Sequence, residues 1–389
     1  MTERIKVFFD MSLPGSGEAE PGLFRSYFKY CGERLSKLVE PIFTAPIRSK
    51  SADLWDRVRV KRQAIRYHLP FSPCRGAGDA AVLHLFLRFP VHLGRPWISE
   101  CECVDQFAGY YNHNARCETY VRSLREMMKR DGFKHLIVPS LASKRGFEAL
   151  GLPTHKVKVL YPGLGSNFGK VHSEKQCVRL LFNFGSGPLF FSKGGREVID
   201  SFQILRKKYP RIELLVCGRD SQGKLGCPDG VKFNAYIPHD AYVKTILPYA
   251  DILVHPTHMD TIGFVVLEAM AAGLPVVATK HYAIPEIIED RVNGYLIDDI
   301  RNVWHDEAFV PKPNYRQEYH AADRVFATEA EHRQAVEQLV FYLEKLIENP
   351  ELRNKIGNSN RQKVSEGKFS VDKRNEELVS MYRDAIAQQ

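Results

Sequence analysis

The sequence predicts an α/β protein built from two doubly wound, largely parallel sheets. Three observations carry that reading. The chain has 389 residues, enough for two or three domains at roughly 150 residues each. Short, near-continuous apolar runs alternate with amphipathic stretches along almost its whole length, and one Pro/Gly cluster, YPGLGS at 161–166, breaks the alternation. Strands without a polar face belong to parallel sheets covered on both sides.

Each element follows from its local pattern. IKVFFDM at 5–11 is an apolar strand ending in the loop LPGSGEAEPG, and LFRSYFKYCGERLSKLV then has helical periodicity. AAVLHLFL at 80–87 and HLIVPS at 135–140 are buried strands, with PWISECEC at 96–103 alternating as a strand between them. In the second half VRLLFNFGSG, ELLVCG, KFNAYI, DILVHP and PVVAT are short apolar strands. REVIDSFQILRKKY and VVLEAMAAG are the helices spacing them, and 320–389 is helical with a break at ENPELRNKIG. The expected domains are 1–162, 163–365 and a closing helix, 366–389, that packs back on the first domain.

Composition narrows the class. Hydrophobic residues at 44% and charged residues at 26% exclude a disordered, collagenous or disulfide-scaffold chain. No run of about 18 apolar residues occurs, so a spanning helix is not expected. MTERIKVFFDM places charges where a secretory signal needs apolar residues. Eight scattered cysteines fit a reduced, cytoplasmic chain. The net charge of +9 is unevenly spread: residues 1–160 hold 26 Lys/Arg against 16 Asp/Glu, leaving the remainder at −1. It peaks in WDRVRVKRQAIR (55–66) and RSLREMMKRDGFK (122–134), where basic and apolar residues interleave. Such stretches suit peripheral contact with an anionic membrane or an anionic acceptor; a solvated basic face is the simpler reading, and no nucleic-acid module is recognisable.

The segment DILVHPTHMDTIGFVVLEAMAAGLPVVATKHYAIPEIIEDRVNGYLID, residues 251–298, carries the most chemistry. A strand ends at Pro256, a loop bears Asp260, and Gly263 and Phe264 open a helix that Gly273 stops. The free amides of Gly263, Phe264 and Val265 at that helix start suit a diphosphate, assisted by the helix dipole. Glu268, one and a half turns along, can accept both hydroxyl protons of a ribose. Asp260 would sit toward a sugar at the other end of the diphosphate. The alternative is a core helix with a capping Asp and an incidental Glu.

This stretch resembles the retaining glycosyltransferases of family 4, whose signature is an acid, seven residues and a Glu within GFG…LEAMA…G-PVVAT. Asp260 and Glu268 hold that spacing in DTIGFVVLEAMAAGLPVVAT, and the resemblance extends over about 134–389. It implies the GT-B fold: two Rossmann-like domains facing across a cleft, the first binding the acceptor. It further implies a hexosyltransferase working with retention, without metal or cofactor, from a nucleotide-diphosphate sugar donor onto a glycan or lipid-linked acceptor in glycan biosynthesis. Asp260 would hold the hexose and Glu268 the ribose, while Lys193 and the Gly263–Phe264 amides stabilise the departing diphosphate. The base would lie near Gly218, Arg219, Tyr236 and Ile237, with Gly187 and the Gly15 loop close to the phosphates.

The chain departs from the family at three places. Asp260 replaces the usual Glu. In GPLFFSKGG, Lys193 matches the phosphate-binding lysine but Pro188 stands where the family has an arginine; Ser186, Ser192, Arg196 or Arg219 are candidate substitutes. Glu102 occupies the place of a histidine that ends the family's fourth strand. On a strand, Cys101 and Cys103 would face the core and turn Glu102 toward the donor, with His84 as a neighbour, as against a salt bridge with Arg95 or Arg88. The alternative for the whole chain is a non-catalytic nucleotide-sugar or glycan-binding homologue.

Overall fold

The computed structural model describes residues 4–10, 33–43, 58–59, 61–64, 66–67, 69–74, 76–91, 94–108, 115–165, 168, 177–185, 189–218, 228–234, 237–299, 302, 304–313 and 328–388. The chain divides into two compact units. The first comprises Met1–Gly163 with His305–Asn314 and Lys368–Gln389, and the second comprises Leu164–Trp304 with Tyr315–Gly367.

The first unit is a six-stranded parallel sheet. Its strands are β1 (Ile5–Asp10), β2 (Val39–Phe43), β3 (Val82–Phe86), β4 (Trp97–Glu100), β5 (Phe133–Val138) and β6 (Val157–Val159), in the order β2-β1-β3-β4-β5-β6. Helices α1 (Glu118–Met128) and α2 (Leu141–Ala149) belong to this unit. α1 buries Tyr120, Leu124, Met127 and Met128 in a core with Trp97, Phe107 and Phe133. The recurrence of apolar residues at three- and four-residue intervals makes this one buried stripe.

The second unit repeats the plan with β7 (Val178–Gly185), β8 (Ile212–Gly218), β9 (Val231–Asn234), β10 (Ile252–His255), β11 (Val276–Thr279) and β12 (Tyr295–Ile297). All pairs are parallel, in the order β9-β8-β7-β10-β11-β12. Ile252 and Leu253 of β10 register with Leu180 and Leu181 of β7. Those residues are wholly buried, which is why the strands read as unbroken apolar runs. Helices α3 (Gly195–Lys208) and α4 (Phe264–Ala272) connect strands, and α5 (Glu329–Glu348) and α6 (Pro350–Ser365) follow. α3 turns Val198, Ile199, Phe202 and Leu205 into the core. α4 is apolar nearly all round and nearly all buried, as such a helix must be.

This strand order is Rossmann-like and reverses direction between β7 and β10. Ligands of open parallel sheets bind outside the carboxyl ends of the strands at such a reversal. The closing helix, α7 (Val371–Ala387), packs Leu378, Met381, Tyr382 and Ala385 against Val7, Phe9 and Ile98 within the first unit. Among the described residues no helix is long and apolar enough to cross a membrane.

Candidate active site

Two loops meet where the second sheet reverses. One follows β7 and runs through the short helix Leu189–Ser192 to Lys193 and Gly194. The other follows β10 from Pro256 to Gly263. Gly194 is left-handed, with φ 80°, and a Cβ there would collide with the Pro256 carbonyl; only glycine brings these backbones so close. The His258 N–H donates to the Ser192 carbonyl at 2.8 Å.

Lys193 crosses from the first loop to the second. Its Nζ donates to Asp260 Oδ2 at 2.8 Å and to the Met259 carbonyl at 2.8 Å. Asp260 Oδ1 accepts from the Gly263 N–H at 3.1 Å, and Oδ2 accepts from His255 Nε2 at 3.1 Å. Burial raises the Asp260 carboxyl pKa, but the opposing Lys193 and His255 interactions exceed it and hold the group well below the carboxylate range. Burial pushes the His255 imidazole pKa down, against the pull of Asp260; a neutral ring donating from Nε2 satisfies this geometry.

Gly263 caps α4 at φ 68° with no side-chain cap. The first N–H groups of the helix, at Phe264 and Val265, therefore have no carbonyl one turn back. Glu268 lies on the same helix, 4% exposed, with Oε1 2.8 Å from His239 Nε2. The Tyr242 hydroxyl is pushed far above the phenol range by burial and then by the Glu268 charge. Lys193, Asp260, Phe264, Val265 and Glu268 thus supply one cation, one half-buried acid, two helix-start amides and a buried second acid, while the Gly263 amide, expected to be free, is taken by Asp260 Oδ1. Such an arrangement can bind a diphosphate between two hydroxyl-bearing groups.

The remaining expected residues fall differently. Gly218 is the last residue of β8, and Ile237 lies three residues after the end of β9. Gly15, Gly187, Arg219 and Tyr236, with Ser186 and Pro188, lie outside the described residues. Ser192 Oγ donates to the Leu189 carbonyl within its own turn. Arg196 is engaged by Glu329 at 3.1 Å and lies 3.9 Å from Asp200, so neither stands ready to replace the missing arginine.

Glu102 requires a correction. β4 ends at Glu100, and Glu102 sits in the bend after it, so strand alternation does not govern it. Cys101 and Cys103 are buried all the same and Glu102 is half-buried. Its backbone is held by Gln106 and Ser143. The carboxylate beside His84 is Glu100, with Oε2 3.2 Å from His84 Nε2, while His84 Nδ1 lies 2.6 Å from the Tyr382 hydroxyl. Arg374 lies 3.5 Å from the other Glu100 oxygen, its pKa pushed down by burial to about 9. Arg95, offered as a partner of Glu102, instead donates to the carbonyls of Ala77, Gly78 and Ala80.

The basic stretch at 122–134 is also partly committed. Arg125 donates to the Leu150 and Gly151 carbonyls, and Arg130 to the Tyr67 hydroxyl. Of the stretch at 55–66, Arg59, Lys61, Arg62 and Arg66 are described and exposed.

Sequence reasoning missed His255 and His239. His255 was readable as the last residue of a strand, five before Asp260. His239 is 29 residues from Glu268 and carries no local signal.

Residues 183–303 match the family model for glycosyl transferases group 1. Over those residues the chain is similar to the group 1 glycosyltransferases. The chain is 30% identical over 162 residues to the amylovoran biosynthesis glycosyltransferase AmsK of Erwinia amylovora, covering 38% of this chain and 40% of that protein. It is 31% identical over 172 residues to a D-inositol 3-phosphate glycosyltransferase of Corynebacterium kroppenstedtii, covering 40% of this chain and 33% of that one. The chain thus spans two fifths or less of these relatives.

Solved structures extend the likeness to the whole chain. A glycosyltransferase from Rickettsia africae superposes with a TM-score of 0.65 at 13% identity, covering 98% of each chain. Anabaena HepE in complex with UDP and glucose does so with a TM-score of 0.59 at 18% identity, covering 98% of this chain and all of that one. The fold is GT-B.

Proposed function

We propose that this chain is a retaining, metal-independent hexosyltransferase that moves a sugar from a nucleoside-diphosphate donor to an acceptor hydroxyl on a glycan or lipid-linked saccharide. The observation that carries the reading is the Lys193–Asp260 pair, 2.8 Å apart where the second sheet reverses, followed by the amide-bearing start of α4 and by Glu268. The UDP and glucose held by HepE favour a nucleotide sugar as the donor class.

In this reading Glu268 accepts from the ribose hydroxyls, which is ground-state binding. The Phe264 and Val265 amides and the Lys193 ammonium receive the charge that grows on the diphosphate as the glycosidic bond breaks. Asp260, ionised and fixed by three donors, holds hexose hydroxyls. The donor's own leaving phosphate takes the acceptor proton as the acceptor attacks from the same face. The first unit, with its excess of basic residues, takes the acceptor and meets the cytoplasmic face of an anionic membrane.

The test is a panel of UDP-, GDP- and ADP-sugars, followed for sugar release with and without a chelator. A transferase leaks sugar to water from its true donor, and chelation leaves the rate unchanged. A melting shift without turnover would instead identify a nucleotide-sugar-binding homologue, the reading that Pro188 in place of arginine favours.

A further inference from the structure

Beside the donor loop lies a second polar cluster, buried and made of residues to which the reaction assigns no part. Glu197, on the first turn of α3, is 2% exposed, and a carboxylate so placed must be compensated. Its Oε1 is 3.2 Å from His258 Nε2 and 3.5 Å from His332 Nδ1. His332, near the start of α5, places its other nitrogen 2.7 Å from Asp200 Oδ2. Both ring nitrogens thus face carboxylate oxygens, and only the imidazolium can donate from both.

We propose that Glu197 is a positioning residue for Asp260: its carboxylate holds the His258 ring, and with it the loop that presents Asp260 to Lys193, while protonated His332 compensates the buried charge. The proposal rests on the functional reading above for its kinetic consequence, not for its geometry. His258 lies two residues before Asp260 and its N–H is tied to Ser192, next to Lys193. Release of the His258 ring therefore loosens the loop at the point where the acid and the lysine meet. Misplacement of a positioned group by an ångström is enough to slow a reaction markedly.

His332 is faced by Glu197, Asp200 and Arg196 from α3, and Glu197 in turn faces His258 of the loop; Arg196 is itself engaged by Glu329. Its pKa is raised, first by the Glu197 interaction, against burial, and then by Asp200. The compensation is complete below the ordinary value of 6.5 and is lost as pH rises through the raised one.

Glu197→Gln keeps the shape and removes the charge. The expected result is a dissociation constant for UDP, by calorimetry, within about twofold of wild type, with at least fivefold slower sugar release from the best donor of the panel. The alkaline limb of wild-type turnover should track the His332 titration seen by imidazole NMR, and both should move to lower pH in the variant. Turnover within twofold of wild type would overturn the proposal, as would parallel losses of UDP affinity, turnover and melting temperature, which mark general destabilisation. If wild type turns over none of the donors, the functional reading fails by itself. The coupling is then judged by NMR alone: unchanged His258 ring signals in Glu197→Gln overturn it, and shifted ones support it.

Discussion

Lys193 is paired with Asp260 in the chain alone, so under the proposed function an incoming diphosphate would share or draw away an ammonium already held by a carboxylate. In the proposed reading, with Pro188 in the arginine's place and with Arg196 and Ser192 engaged elsewhere, Lys193 would carry most of the diphosphate charge. Lys193→Ala should cost about 2–4 kcal/mol of transition-state stabilisation, the range for a single preorganised donor; a loss below threefold in turnover would show that another cation serves. Glu268→Gln should weaken donor binding more than it slows turnover, and Asp260→Asn should do the reverse, because sugar contacts tighten as the bond breaks. Wild-type kinetics in both variants would remove the site. The Asp260 carboxyl is depressed in the folded chain, so its contribution to stability is present above the ordinary 3.8 and lost only well below it. Any acid limb of activity above that value belongs to another group, which a pH–rate profile of Asp260→Asn compared with wild type would reveal.

At the scale of the element, the start of α4 depends on one backbone conformation. Gly263 is left-handed, and an added Cβ would lie 2.5 Å from Ile284 Cδ1. Gly263→Ala therefore forces about 1–2 kcal/mol of backbone strain plus a displaced isoleucine. A unit of this size should lose about 2–8 °C in melting temperature, and the Phe264 and Val265 amides should lose their aim, raising the dissociation constant for UDP. An unchanged melting curve would show that the loop yields. Spacing sufficed to read this helix, because a Gly at each end and an apolar run between them leave few alternatives. The reading of 96–103 as one strand went too far for a related reason: alternation continues to Cys103, but pairing with the neighbouring strand stops at the Cys101 N–H to the Ile137 carbonyl, and hydrogen bonding between strands is a non-local property.

At the scale of the whole molecule, the charge is partitioned: +10 in residues 1–160 against −1 in the rest. Each Lys or Arg near an anionic bilayer adds up to about 1 kcal/mol, so four or five in 55–66 suffice for reversible attachment. Arg125 and Arg130 are committed to internal partners, which leaves 55–66 as the stronger candidate. Binding should fall steeply with salt, since screening acts within about 8 Å at physiological ionic strength. Co-sedimentation with anionic and neutral vesicles checks this, on wild type and on a variant with Arg57, Arg59, Lys61 and Arg62 changed to Ser. Equal sedimentation of both proteins, or none, would mark the basic face as solvated surface and point to a soluble acceptor.

The sequence by itself determined the two parallel sheets and the α4 helix, with Asp260 before it and Glu268 within it, because these rest on short-range periodicity or spacing that local sterics and burial enforce; Lys193 was legible only through the family resemblance. Tertiary structure alone decided the partners: His255 and Lys193 on Asp260, His239 on Glu268, Glu100 rather than Glu102 beside His84, and His258 and His332 around Glu197. These contacts join residues as far apart as 135 positions in Glu197 and His332. A buried charge needs a counterpart in space, and nothing in the linear chain records which one the fold will bring.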